Sequence, residues 1–555
     1  MKEDASTVWR WRLHSSAEPP EENAGEPFAF PEGKSVDLGG FFREPGGQLV
    51  LTAERSCSAP APEQLVLAAE GRWRLRFNGE LLLDSTACGS QEFPFQPDSY
   101  PVTVDCRAGV NTLVWEIFGE RSANGGFAPL RAAFRSTEPP PPLTMRYAPV
   151  ATFPDGGERA VSILFTGSRP SAAAVDYRRR GGTQWRRAFD NLGGQIRCDR
   201  AVHAIRLTGL NPDADYEYRA VLIDEFRRLK DIVVDGIHRF RSAPDRGRPF
   251  RFVMTADLQI PEERTKYLKT LFPPDAPDAP DFFVFGGDLH WTTDFNRSVM
   301  EEFILPFRQC TGNRVPLVMV RGNHELYGRE SLRYFDSFSA PPPGREGYTL
   351  FRWGEVCFFV LDFCDDAGNL PRPSTRWLHD FEPYLAAEAR WLRRAVELPL
   401  CRDAKFRIVL AHGLPYGDAQ SYLPDHVRQL IDPLFGGAHP AVQIHLWLGG
   451  HIHRPFRSVP GNGGFYSPLP PEEFQDAPLP PEGNNRTFPV VAVGGPTWKL
   501  GRKWQFTGLS VEVGADSILV RHLDRDGGEF DRFRIASDGK VTEESRSPEF
   551  RRYGH

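Results

Sequence analysis

The chain has few cysteines, eight in 555 residues, and no two of them are spaced as CxxC. That argues against a redox or zinc module built on such pairs, and leaves free thiols in a reducing compartment as the expectation. Cys357 and Cys364 sit in or beside apolar runs and read as small core residues. No apolar stretch approaches the length of a membrane span. Met1-Lys2-Glu3-Asp4 leads into polar sequence without the apolar segment of a secretory signal, so a cytoplasmic protein is expected. An excess of one charge is also missing. Lys and Arg number 67 against 73 Asp and Glu, a net charge of −6, which gives no general pull toward nucleic acid or an anionic membrane. Arg178-Arg179-Arg180, in strand-like context, reads as a solvated face.

What is present is ordinary for a globular protein, with 40% hydrophobic and 25% charged residues. The length exceeds one typical core, and two to four domains are expected. Residues 1–137 read as all-β. Trp73-Arg74-Leu75-Arg76-Phe77 alternates with period two, turns at Asn78-Gly79 and returns through Leu81-Leu82-Leu83, a strong hairpin signal. A second turn at Ala108-Gly109-Val110-Asn111 leads into Thr112 to Ile117. This succession resembles galactose-binding-like β-sandwich modules. The resemblance leaves open whether the module binds carbohydrate or serves as a spacer.

Pro139 to Pro142 form a semi-rigid boundary. Residues 143–244 are again β-rich. Leu207-Thr208-Gly209-Leu210-Asn211-Pro212-Asp213-Ala214-Asp215-Tyr216 resembles the corner of a fibronectin type III domain, with Tyr216 as the candidate corner tyrosine. After a second Pro- and Gly-rich boundary, residues 248–536 mix buried strands with helices. Helical spacing is expected over Tyr384 to Val396 and over Val427 to Leu434. Pro460 to Pro481 reads as a long insertion able to overhang a site, and residues 537–555 as a frayed polar tail.

Five apolar runs in this last part stop at polar residues. Phe250 to Ala256 leads into Asp257-Leu258-Gln259, and Phe282 to Gly287 into Asp288. Val315 to Arg321 leads into Gly322-Asn323-His324-Glu325. Phe406 to Ala411 leads into His412, and Ile444 to Gly450 into His451-Ile452-His453. Runs of this kind fit strands buried on both faces. Ligands in open α/β sheets gather beyond the carboxyl ends of such strands.

The ordered set Asp257, Gly287-Asp288, Gly322-Asn323-His324-Glu325, His412 and Gly450-His451-Ile452-His453 resembles the calcineurin-like metallophosphoesterase family. A type III-like module directly ahead of it resembles the layout of purple acid phosphatases. The resemblance implies a multidomain protein: two N-terminal β-sandwiches, then an α/β domain with a β-sandwich core flanked by helices. It also implies two divalent metal ions acting on a phosphate ester. Two cations about 3.5–4 Å apart can activate water and clamp the attacking and leaving oxygens. By the same resemblance one ion would be held by Asp257, Asp288 and His453, with Gln259 as a fourth ligand. The other would be held by Asp288, Asn323, His412 and His451, and His324 would act as general acid.

Two departures matter. Many family members have Asp-x-His where this chain has Asp257-Leu258-Gln259. An amide oxygen is a harder ligand than imidazole and favours Mn²⁺ or Mg²⁺ over Zn²⁺, with Fe still possible. Trp291 stands where purple acid phosphatases place an iron-binding tyrosine, so no tyrosinate centre is expected, and His290 is a conceivable substitute ligand. Arg321 and Tyr416 lie beside the motifs and are expected in surface or packing roles, or against substrate. His445 is expected as a satisfied core histidine, and His379, His426 and His439 at the surface. The other reading left open is a glycan- or protein-binding protein with a degenerate phosphoesterase domain, favoured only by Gln259.

Overall fold

The computed structural model describes residues 8–14, 26–31, 34–42, 47–86, 100–119, 130–153, 158–227, 230–233, 236–271, 279–290, 300–312, 314–328, 331, 347–362, 381–415, 432–435, 440–461, 464–470, 486–496 and 502–553. Cys364, Trp291, His379, Tyr416, His426 and His439 lie outside them, as does most of the helix expected over 427–434. The chain divides into two compact units, Met1–Thr144 with Ile223–Ile232, and Met145–Leu222 with Val233–His555.

The first unit is an antiparallel β-sandwich. One sheet runs in the order Glu26–Phe28, Arg10–His14, Gln48–Cys57, Gly109–Phe118, Arg72–Phe77, Glu80–Asp84. The facing sheet runs Val36–Asp37, Arg131–Thr137, Ala61–Ala69, Tyr100–Cys106. Alternation along Arg72–Phe77 turns Trp73, Leu75 and Phe77 inward, where they join Trp9, Trp11 and Trp115 in the core. The expected hairpin forms at Asn78-Gly79. Both residues have positive φ, 48° and 85°, the backbone that matches the twist of the two strands. Asn78 and Asn111 spend their amides on each other and on the backbone of these turns. With four of its tryptophans in the core, the sandwich offers no support for carbohydrate binding among the described residues.

The second unit opens with the type III-like region. Tyr216 closes the expected corner: its hydroxyl accepts a hydrogen bond from the Asn211 amide at 2.8 Å, and its ring stacks on Phe240. The sheet formed by Val202–Leu207, Val161–Gly167 and Met145–Thr152 does not end there. Met145–Thr152 pairs in parallel with Leu317–Met319 through Thr152 and Leu317, so the sheet runs on through ten strands. Phe153 anchors the join, packing within about 5 Å of the rings of Phe282, Phe351 and Trp353. The stretches expected at 143–244 and 248–536 therefore share one sheet.

That sheet continues as Leu317–Met319, Phe282–Phe285 and Phe250–Thr255 in parallel. It is extended by the antiparallel strands Gly508–Val513, Ser517–Leu523, Glu529–Ala536 and Val541–Arg546. A second, eight-stranded sheet runs Thr349–Trp353, Val356–Leu361, Phe406–Ala411, Leu446–Gly449, Val490–Ala492, Phe456–Ser458, Phe465–Ser467, Arg551–Tyr553. Side chains alternate between two faces that are both buried, which is why these strands read as continuous apolar runs. In Phe282–Phe285, Phe282 and Val284 face the core between the sheets, while Phe283 and Phe285 face an outer layer. In Val356–Leu361, Phe358 and Val360 face inward and Phe359 and Leu361 outward. Helices complete the outer layers. Pro261–Leu271 and Leu305–Thr311 cover the first sheet, and Phe381–Ala395, at the expected place, covers the second through Leu385, Ala389 and Leu392.

Two expectations need correction. The tail is not frayed: Val541–Arg546 and Arg551–Tyr553 pair into both sheets, and Phe550 is fully buried against Trp504 and Phe530. Part of the Pro460–Pro481 insertion is likewise a strand, Phe465–Ser467, while residues 471–485 lie outside the described set. Buried Tyr466 outweighs the proline and glycine that suggested a loop in the one place, and buried Phe550 the polar composition in the other.

Candidate metal centre

The parallel strands of both sheets end at one edge, and the site is built from residues one to four positions past each strand. The first sheet supplies Asp257 after Phe250–Thr255, Asp288 after Phe282–Phe285, and Asn323 after Leu317–Met319. The second supplies His412 after Phe406–Ala411, and His451 and His453 after Leu446–Gly449. All of the residues singled out as ligands from sequence converge there. Ligand atoms of Asp288, His412 and His451 lie within 4.8 Å of one another, and so do those of Asp257, Asp288 and His453. Asp288 belongs to both groups.

The backbone is bent to bring these side chains together. Of the seven non-glycine residues with positive φ among the described residues, four are Asp257, Asp288, His451 and His453, at 55° to 69°. Such conformations are uncommon away from functional sites and persist only where the surroundings enforce them. Two glycines allow the close approach. A Cβ on Gly322 would strike Asp288 Oδ1, and one on Gly450 would strike Asp257 Oδ2.

The imidazoles are aimed by carbonyls. His412 Nδ1–H donates to Gly286 O at 2.7 Å, and His453 Nδ1–H to Pro496 O at 2.9 Å. A carbonyl can only accept, so each ring carries its proton on Nδ1 and turns Nε2 into the site. His412 Nε2 is 3.2 Å from Asp288 Oδ2, and His453 Nε2 is 3.2 Å from Asp257 Oδ1. His451 Nδ1 is 2.9 Å from Asn323 Oδ1. Gln259 Nε2 donates to Asp288 Oδ2 at 3.1 Å.

Charge is set by this packing. Burial alone would lower the pKa of His412, but Asp288 and Asp257 outweigh it and push it up to about 10. Burial, with the adjacent His412, drops His451 to about 4. Burial would raise Asp288, yet His412, His324 and His451 hold it well below the usual carboxylate range. Positive charge is thus favoured where the two carboxylates converge.

The donor set fits hard divalent cations: carboxylates, amides and neutral imidazole nitrogens, with one carboxylate common to two groups. His412 Nε2 and Gln259 Oε1 are buried and have no hydrogen-bond partner, which is unusual for protein polar atoms and suits donors kept for a cation. His324 sits at the rim with its side chain 18% exposed. Its amide donates to Asp288 Oδ1 at 3.0 Å, and its ring packs edge-on against Tyr327.

Three supporting residues carried no role in the reading from sequence. Glu325 is buried and accepts from the amides of Asp288 (2.8 Å), Leu289 (2.7 Å) and Gly322 (2.7 Å), tying two ligand loops together. Arg264, on the helix Pro261–Leu271, donates to Leu258 O and Leu289 O, bridging the Asp257 and Asp288 loops. Asp362 pairs with Arg321. Glu325, close to Gly322 on a tight turn, was the one with a local signal. His290 is buried, and burial with nearby Arg264 lowers it to about 3. Of the roles expected for Arg321, at the surface, in packing or against substrate, the structure shows packing: it is buried in that ion pair. His445 is a satisfied core histidine as expected, bonded to Arg407 N and Ser537 O.

Residues 250–455 match the family model described as calcineurin-like phosphoesterase, and this part of the chain is such a domain. The chain is 25% identical over 192 residues to purple acid phosphatase 15 of Arabidopsis thaliana. The match covers 29% of this chain and 34% of that protein, so it spans about a third of the relative's length. Among solved structures, the purple acid phosphatase PPD1 from yellow lupin (Lupinus luteus) seeds superposes with a TM-score of 0.50 at 14% identity. That likeness, covering 92% of this chain and 94% of the other, is one of fold. Among the described residues no helix is long and apolar enough to cross a membrane.

Proposed function

We propose that the calcineurin-like phosphoesterase domain hydrolyses a phosphate monoester or diester with the help of two divalent metal ions, Mn²⁺ favoured and Fe, Zn or Mg²⁺ possible. The observation that carries this reading is the pair of overlapping donor groups that share Asp288. Asp257, Asp288, His453 and Gln259 would hold one ion, and Asp288, Asn323, His412 and His451 the other. When bound, the ions lower the pKa of the attacking water and neutralise charge on the phosphoryl group.

The chain's own residues supply the remaining steps. Gly286 O and Pro496 O keep the Nε2 atoms of His412 and His453 turned inward. Glu325 holds the Asp288 and Asn323 loops at a fixed separation. His324, adjoining the ligand Asn323 and partly open to solvent, delivers a proton from its ring to the departing alkoxide oxygen, a role worth about 10²–10⁴ in rate.

The test is turnover by metal-stripped protein after Mn²⁺, Mg²⁺, Zn²⁺ or Fe²⁺ is restored, using p-nitrophenyl phosphate, bis-p-nitrophenyl phosphate and an alkyl phosphate. Asp288→Asn is expected to abolish it. His324→Ala is expected to cripple alkyl ester hydrolysis and to affect p-nitrophenyl esters far less, because p-nitrophenolate leaves without a proton. Equal losses on both esters would remove the general-acid role. Folded protein without turnover under any metal would favour the degenerate, binding-protein reading.

A further inference from the structure

Asp362 directly follows the strand Val356–Leu361, and His412 directly follows the neighbouring strand Phe406–Ala411. Leu361 and Ala411 are register partners, so the two residues occupy equivalent strand-end positions. Asp362 thus stands at the same edge as the ligands, on the strand beside that of His412. Its carboxylate faces Arg321, which immediately precedes Gly322-Asn323-His324. Arg321 Nε donates to Asp362 Oδ1 at 3.0 Å, and a second guanidinium nitrogen lies 2.6 Å from Oδ2, with both side chains almost wholly buried. Paired, planar contacts of this kind fix orientation as well as distance.

Asp362 is itself held from the helix Phe381–Ala395. Tyr384 donates its hydroxyl proton to Asp362 Oδ2 at 2.5 Å, and the Tyr384 oxygen accepts from Gly347 N at 2.8 Å. Glu388, one turn further along the same face, accepts from the Asp362 amide at 2.7 Å. The Tyr384 ring also packs beneath the Arg321 guanidinium, 5.5 Å away. Arg321 comes from the first sheet and Asp362 from the second. Their pair therefore joins the two sheets at the edge where Asp288 of one must meet His412 of the other.

We infer that Asp362 is a positioning residue for the proposed phosphoesterase centre, acting through Arg321 to set where Asn323 and His324 stand relative to the ligands of the second sheet. The inference rests on the proposed function for its kinetic consequence, but not for its consequence for cation affinity. Supporting residues around metal ligands commonly govern affinity or rate by 10–100-fold.

The experiment uses the full chain, metal-stripped, in four forms: wild type, Asp362→Asn, Tyr384→Phe and the double variant. Mn²⁺ affinity is read by calorimetry, and kcat and KM by hydrolysis of p-nitrophenyl phosphate. Asp362→Asn is expected to weaken Mn²⁺ binding and lower kcat, each by about 10-fold or more, with KM changed less than about 3-fold. Tyr384→Phe is expected to move both in the same direction by a smaller factor, and the double variant to fall short of the product of the single effects. Wild-type Mn²⁺ affinity and kcat in folded Asp362→Asn would overturn the inference. If that variant does not fold, wild-type values in Tyr384→Phe would overturn it instead. Should the wild type itself show no turnover, the phosphoesterase reading fails, and the Mn²⁺ affinities alone still decide whether Asp362 positions the site.

Discussion

Replacing Glu325 by Gln changes almost no volume and tests whether one buried carboxylate holds two ligand loops together. Glu325 Oε2 accepts from Asp288 N and Gly322 N, and Oε1 accepts from Leu289 N. Burial and the neighbouring Asp288 push its pKa up, and the amides of Asp288 and Leu289 oppose that shift. In the best orientation of a glutamine, its carbonyl keeps the Asp288 and Gly322 bonds. Its NH₂ then faces the Leu289 amide, donor against donor. Losing one partner for a buried amide costs about 1–3 kcal/mol, and turning two charge-assisted bonds into neutral ones about 0.5–1 kcal/mol each. The sum is about 2–5 kcal/mol, a fall in melting temperature of roughly 4–10 °C at about 2 °C per kcal/mol for a unit of this size. Calorimetry would read the temperature. Hydrogen exchange resolved to residues 286–290 would show the Leu289 amide losing protection before the core strands do. Mn²⁺ affinity should fall about 10–100-fold alongside. A Glu325→Gln protein with wild-type melting, unchanged exchange at Leu289 and wild-type Mn²⁺ affinity would refute the view that this carboxylate positions the loops.

Close packing and burial give two more expected outcomes. Gly322→Ala places a methyl group on Asp288 Oδ1 and 2.6 Å from its amide, so Mn²⁺ affinity and turnover should drop by about 100-fold or more while the far edges of both sheets keep their exchange protection; near-normal Mn²⁺ binding would contradict the assigned close approach. His522 is neutral in the fold, its pKa dropped to about 3 by burial and by Arg457. The unfolded chain takes up that proton below about 6.5, so this residue makes stability fall as pH drops from about 6.5 toward 3 and contributes no slope above that window. Urea unfolding at a series of pH values should show a shallower acid slope for His522→Gln, by up to about 1.4 kcal/mol per pH unit; parallel slopes for the two proteins would sink the assignment.

Much of the candidate centre was readable in one dimension because its residues follow a local rule. A strand buried on both faces reads as a continuous apolar run, and the first polar residue after it stands at the strand's end. Applied to five strands, that rule leads to Asp257, Asp288, His412 and His451, and in the fifth case to Arg321, two residues ahead of Asn323, all at one edge. The hairpin at Asn78-Gly79 and the corner at Tyr216 were likewise legible, since a positive φ or a tyrosine reaching five residues back is a short-range demand.

The periodicity that buries the strands, and the polar residues that follow them in the chain, were thus set by local residue order. Long-range packing alone decided which strands meet and what each buried charge answers. Met145–Thr152 pairs with Leu317–Met319 across more than 160 residues, a register no local pattern encodes, and the type III-like region is thereby built into the sheet that carries Asp257, Asp288 and Asn323. Glu325 meets two of its three amide donors 36 and 37 residues back, and Arg321 meets Asp362 41 residues on. A glutamate or arginine beside a motif looks the same in sequence whether it points to water or to a partner. The partner is chosen by how two sheets stack, a property of the whole core and not of any stretch within it.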